Sequence, residues 1–372
     1  MNQTDLTIAL HSAATKGCAD SIRSVLDGGA YIHAKKDGQS PLSLAANTGC
    51  VPAVKILVER GNIDQFPMDH DAVTALILAT TRGHSQVVEF LLEMGTNIEG
   101  RSKKEDTPLM RAITHNRYDV AELLLNRGAN PEAVNIYGDT ALLRAICGHN
   151  TELIDLLLDR GASRIFRMKG FSPMTIAAKH GSTEMVRHLI GRGFDVNAKD
   201  SCGCTPIQGA ITSMNPEVVR LLIVSGAHVG VVDESMGRNA LSIAVCEGTL
   251  EIVKLFIECG VDVNSADENG ETPLMCASYS DDTELVNYLL DVGADIACTC
   301  FDGCTALHAA AQGGCIDIIK ILLDRGACID ACTSDGDEIT PVDMADAYEN
   351  YDAVRYLLDR GAVSDFQKSL YS

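Results

Sequence analysis

No run of eighteen apolar residues occurs in this 372-residue chain, so no membrane-spanning helix is expected. Its first residues, Met1-Asn-Gln-Thr-Asp5, carry neither a basic region nor an apolar core, and a Sec-type signal is not expected either. The phosphate-binding loop, the dinucleotide glycine fingerprint, H-E-x-x-H and G-x-S-x-G are all missing, which removes the common motif-borne enzyme classes. Positive charge is scarce, with 30 Lys and Arg against 51 Asp and Glu and a net charge of −21, so nucleic acid and anionic lipid are disfavoured partners. Cysteine is plentiful at fourteen, but Cys298-x-Cys300-x₃-Cys304 and Cys328-x₃-Cys332 lack the C-x₂-C spacing of common zinc sites. The thiols are therefore read as reduced, without a metal or cofactor.

Glycine is present with a pattern. Gly29, Gly61, Gly95, Gly128, Gly161, Gly193, Gly226, Gly260, Gly293, Gly326 and Gly361 recur at intervals of 32 to 35 residues. A second series lies 21 residues ahead of each: Ile8, Ser40, Thr74, Thr107, Thr140, Ser172, Thr205, Asn239, Thr272, Thr305 and Thr340. The offset never changes, so each 21-residue block is a rigid unit and the length variation falls in the loops that join blocks. A period near 33 predicts stacked repeats. Within a block, runs such as Val87-Val88-Glu89-Phe90-Leu91-Leu92 and Ile318-Ile319-Lys320-Ile321-Leu322-Leu323 give one broad apolar helix face. The glycine that follows predicts a left-handed C-terminal stop. A shorter alanine-rich helix precedes it, as at Ala309-Ala310-Ala311. Neither helix is long enough to be stable alone, so each repeat must bury its apolar face on its neighbours.

Thr107-Pro-Leu-Met110, Thr272-Pro-Leu-Met275 and Thr305-Ala-Leu-His-Ala-Ala310, with the endings Gly193-Phe-Asp-Val-Asn197 and Gly260-Val-Asp-Val-Asn264, resemble the ankyrin repeat family. The resemblance runs from residue 1 to about 365. It implies an all-α solenoid of eleven repeats, each a β-turn finger followed by a helix pair, starting near residues 4, 36, 70, 103, 136, 168, 201, 235, 268, 301 and 336. In the family the Thr and His of the motif brace the turn. Only His11 and His308 hold that His position here, so weaker bracing is expected between them. The first and last repeats are polar and read as caps, which gives one domain over 1–372 with a short tail at 366–372.

The resemblance further implies a protein–protein interaction module; with the missing enzyme motifs, apolar runs and positive charge, a non-enzymatic monomer without membrane or nucleic-acid partners is expected. Its ligand face is the concave one, made of fingers and first helices. The expected compartment is the cytoplasm, with the nucleus or a host cell left open. Repeat register places Lys103, Lys104, Arg111, His115, Tyr137, Arg144, Arg167, Met168, Lys169, Phe171, Lys179 and His180 on that face in repeats four to six. Arginine, methionine and aromatics are the types enriched in interface cores, which suggests an acidic peptide or a small anionic ligand. The competing reading pairs each arginine with a nearby acid, Asp106 or Asp139. A second candidate face is acidic: Asp267, Glu268, Glu271, Asp302, Asp335 and Asp337, within a segment (266–372) that holds 21 acidic and 5 basic residues. The alternative function is a small-molecule binder or enzyme on the basic-aromatic patch, with Cys147, His115, His180 and Tyr137 near Arg111 and Arg144 as its chemistry.

Overall fold

The computed structural model describes residues 2–61, 70–164, 172–230, 237–334 and 338–363. These residues form 22 α-helices that fall into eleven consecutive pairs. The helices group into two compact units, 1–168 and 169–372. The first holds α1 (Gln3–Lys16) and α2 (Ala19–Asp27), α3 (Pro41–Thr48) and α4 (Val51–Arg60), α5 (His70–Arg82) and α6 (Ser85–Glu93), α7 (Pro108–Thr114) and α8 (Tyr118–Asn126), then α9 (Ala141–Cys147) and α10 (Thr151–Asp159). The second begins with α11 (Pro173–Lys179) and α12 (Thr183–Gly191), α13 (Pro206–Thr212) and α14 (Pro216–Val224), then α15 (Ala240–Glu247) and α16 (Leu250–Glu258). It continues with α17 (Pro273–Tyr279) and α18 (Thr283–Asp291), α19 (Ala306–Gly313) and α20 (Ile316–Asp324), α21 (Pro341–Ala347) and α22 (Tyr351–Asp359). In each unit first helices pack on first helices along the stack. The core of each unit is built of Leu, Ile, Val and Ala, and Phe256 is the largest fully buried side chain among the described residues.

Each 21-residue block is bounded as its chemistry dictates. Thr107, Thr140 and Thr272 cap their helices by accepting from the backbone N–H three residues on. The closing glycines are left-handed at φ +80 to +99°, with the exception of Gly61 at −78°. His308 braces its turn as the resemblance implies: Nδ1 accepts from the Thr305 N–H at 3.1 Å, and Nε2 donates to the Ile339 carbonyl at 3.0 Å. The expected loss of bracing at other repeats is only partial. Ser43 and Gln208 accept the backbone N–H of Ser40 and Thr205, and Asp343 that of Thr340, so a short polar side chain does the histidine's local work.

Two blocks depart from register. Ile8 and Thr74 lie inside α1 and α5, which run 14 and 13 residues. Ile8 has no hydroxyl to cap with, and Asn2 takes the role in a capping box with Asp5. At the third repeat the cause sits two residues ahead of the marker. Gly38, Gly138, Gly203, Gly237, Gly270 and Gly303, with Glu105 and Glu338, all hold positive φ at that place and turn the chain into its helix. The third repeat has Ala72 there, fully buried and helical, so no left-handed turn forms and the helix extends back to His70.

A recurrent clamp joins neighbouring repeats within each unit. The residue four beyond the glycine accepts a backbone N–H 31 residues later: Glu99 from Asn130 at 2.7 Å, Glu132 from Ser163 at 2.9 Å, Asn197 from His228 at 2.7 Å and Asn264 from Asp295 at 2.8 Å. The family-like endings at Asn197 and Asn264 therefore carry inter-repeat hydrogen bonds.

Candidate functional site

In the first unit the fingers ahead of α7 and α9 stand side by side. Arg101 Nη1 donates to the carbonyls of Glu105 at 3.1 Å and Val134 at 2.6 Å, which ties one finger to the next. Asn135 is buried, and its Oδ1 accepts the backbone N–H groups of Tyr137 and Asp139 at 2.9 and 3.0 Å. That side-chain turn fixes the finger and holds Ile136 and Tyr137 out in solvent, 59% and 64% exposed. Lys103 and Lys104 are exposed on the preceding finger.

The arginines are engaged in the scaffold. Asp106 is buried directly ahead of the α7 cap, and Arg144 Nη2 meets its Oδ1 at 2.9 Å. Arg144 also approaches Asp139 at 3.5 Å, and Arg111 Nη1 lies 3.8 Å from Asp106 Oδ2. Asn135 Nδ2 donates to the same carboxylate at 3.1 Å. The local pairing that competed with the open basic patch is the arrangement present. The two guanidinium groups converge, as register suggested, because one buried acid lies between them.

A contact rule emerges on this face. The residue four beyond a marker meets the residue seven beyond the marker of the preceding repeat. Arg111 Nε reaches Thr81 Oγ1 at 3.4 Å, and Arg144 Nη1 reaches Thr114 Oγ1 at 2.9 Å.

His115 caps the end of α7, and its Nε2 is buried without a hydrogen-bond partner. Burial, then the charges of Arg111, Arg117 and Arg82, push its pKa down, so the ring is held neutral. Burial and Asp139 push the Cys147 thiol up against the opposing pull of Arg144, which makes it a poor nucleophile. Lys179 and His180 are exposed at the end of α11 in the second unit. Arg167, Met168, Lys169 and Phe171 lie outside the described residues.

The acidic face needs correction at one residue. Asp267 is buried, and its Oδ1 accepts the backbone N–H groups of Asn269 and Glu271 at 2.8 and 2.9 Å. It fixes its own finger as Asn135 and Asp200 fix theirs, five residues ahead of the marker. Glu268 and Asp302 are exposed. Glu271 is half-buried, with its carboxyl pushed up by burial and by Asp267. Asp335 and Asp337 lie outside the described residues.

Sequence reasoning missed Phe301, 76% exposed four residues ahead of Thr305, the place that Ile136 holds ahead of Thr140. The register already in hand contained the signal, hidden by the acidic residues around it. Its backbone N–H donates to the Asn269 carbonyl at 3.0 Å, so this finger too is tied to its neighbour. Among the described residues no group of three or more His, Cys, Asp or Glu side chains is placed to hold a metal ion, and no helix is long and apolar enough to cross a membrane.

Comparison with known proteins gives the same picture over most of the chain. A family model described as ankyrin repeats (3 copies) matches residues 62–135, 130–200, 207–300 and 292–368, and the single ankyrin repeat model matches 37–66. The chain is 35% identical over 106 residues to an ankyrin repeat domain-containing protein, SAT10, of Stachybotrys chartarum, covering 28% of this chain and 5% of that protein. It is 34% identical over 113 residues to the human ankyrin repeat and SOCS box protein 16, covering 30% of this chain and 24% of that one. A putative ankyrin repeat protein of fowlpox virus is 35% identical over 91 residues, 24% of this chain and 61% of the viral one. The chain thus spans only part of the length of these relatives. Ankyrin repeats are in general protein–protein interaction modules and generally not enzymes.

Proposed function

We propose, since the chain belongs to the ankyrin repeat family, that it binds a protein partner on the finger-and-first-helix face of its first unit. The carrying observation is the pair Ile136 and Tyr137, large apolar side chains more than half exposed on a turn fixed by the buried Asn135. An exposed aromatic on a preorganised backbone loses little entropy on docking, and Tyr is among the residues enriched at binding hot spots. Lys103 and Lys104 flank this pair and favour an acidic segment in the partner. Arg111 and Arg144 act behind them, positioning the fingers through Asp106. The raised Cys147 thiol argues for binding over catalysis. We place the protein in the cytoplasm, acting as a monomer without a cofactor.

Variants of exposed residues test this reading without disturbing the Asp106 cluster. Immobilised wild-type chain and an Ile136→Ser/Tyr137→Ser double variant are compared for retained partners, with Tyr351→Ser in α22 of the second unit as control. Loss of the same proteins from the double variant alone is the expected result. Retention of an unchanged set by the double variant would move the binding surface elsewhere.

A further inference from the structure

A pocket of about 270 Å³ in the second unit is lined by Arg238, Cys246, Glu271, Met275, Cys276 and Tyr279, among others. Cys246 sits in the last turn of α15, seven residues beyond Asn239, and Cys276 sits in α17 four residues beyond Thr272. This is the register pair that brings Arg144 to Thr114 and Arg111 to Thr81 in the first unit. Here it puts two cysteine side chains on the wall of one pocket, across adjacent repeats whose first helices pack together. Both cysteines are free, Cys246 exposed and Cys276 half-buried.

The surroundings divide the labour between the two sulfurs. The neighbouring Cys276 thiol, and then the positive charge of Arg238, bring Cys246 down to about 7 against burial and two acids. Cys276 is pushed well up, first by the neighbouring Cys246 and then by burial, so it keeps its proton. A thiolate open to solvent beside a protonated thiol is the arrangement of a nucleophilic and a resolving cysteine.

We propose that Cys246 and Cys276 are a redox-active dithiol that a low-molecular-weight disulfide oxidises to a bond between the two repeats. The Cys246 thiolate attacks one sulfur of the disulfide, forms a mixed disulfide and expels the other half as a thiolate, which takes up a proton. Cys276 then loses its proton, attacks the Cys246 sulfur and expels the second half. The dithiol gives up two electrons and two protons, and one disulfide is reduced to two thiols. The bond clamps α15 to α17 and removes both thiols from the pocket. This site lies in a different unit from Ile136 and Tyr137, so it stands or falls independently of the partner-binding reading.

The test uses the full reduced chain and oxidised glutathione, followed by thiol blocking and peptide mass mapping. In the wild type the Cys246–Cys276 bond is the expected product. Cys276→Ser stops with one glutathione on Cys246, and Cys246→Ser yields neither species. As a check that needs no variant, iodoacetamide at pH 7 alkylates Cys246 about tenfold faster than the exposed Cys259 and Cys328. Cys246 reacting no faster than those two, or a wild-type chain that carries glutathione on Cys246 without passing on to the bond, would overturn the proposal.

Discussion

Arg144 Nη2 lies 2.9 Å from Oδ1 of Asp106, a carboxylate supplied by the preceding repeat and only 2% exposed. One buried acid thereby holds two arginines and an asparagine and joins two fingers to two first helices. Asp106→Ala leaves the largely buried Arg144 without its main partner. A loss of about 3 kcal/mol is expected, at the low end for a broken buried pair because Arg144 keeps Asp139 and some water. Urea denaturation measures it, and hydrogen exchange should show the loosening centred on α7 and α9. A change under about 0.5 kcal/mol would mean that the cluster contributes little.

Acid should weaken the fold through His308. Burial pushes its folded pKa below the ordinary 6.5, against the raising effect of its backbone hydrogen bonds. The neutral ring accepts from Thr305 and donates to Ile339, and protonation of Nδ1 would cancel the first. Below pH 6.5 the unfolded chain takes a proton that the folded chain refuses, so stability falls as pH drops through that window. The slope contributed approaches about 1.4 kcal/mol per pH unit at most. His115 is shifted the same way, so the readout is the difference between wild type and His308→Gln. Parallel pH profiles of melting temperature from 7.5 to 5 would contradict this account.

The clamp at the end of each repeat gives a third expectation. Asn264→Ala removes the acceptor of the Asp295 N–H and the donor to the Gly293 carbonyl. A cost of about 1 kcal/mol is expected from two partly exposed hydrogen bonds. Amide exchange at Asp295 should accelerate in proportion, and Asn197→Ala should do the same at His228. Unchanged protection at both amides would show that the stack is held by apolar packing alone.

Salt separates the two candidate partner chemistries. An acidic partner docking beside Lys103 and Lys104 approaches a chain of net charge −21, so long-range repulsion opposes the encounter. Screening relieves that repulsion, and association should change little or quicken between low and physiological salt while dissociation speeds up. A basic partner on Glu268 and Asp302 would instead associate much more slowly as salt rises. Stopped-flow rates at two ionic strengths decide, and a steep fall in association rate moves the interface to the acidic fingers.

Local chemistry made most of the fold legible from the residues. A helix cap needs Ser, Thr or Asn, and a left-handed stop favours glycine, so the constant 21-residue offset marks nearly every helix pair. At Thr74, one of the two boundaries that failed, the cause is also local: Ala72 stands where eight other repeats have a left-handed residue, mostly glycine. Which residues are free to meet a partner was a matter for tertiary structure. Asp267 and Glu268 are adjacent acids, yet packing buries one in its own turn and exposes the other. Arg144 resembles a surface cation until Asp106 is found across the repeat boundary, and Cys246 finds Cys276 the same way. Spacing along the chain gives register, but charge neutralisation and thiol proximity depend on distances across the stack, which arise only when the repeats pack.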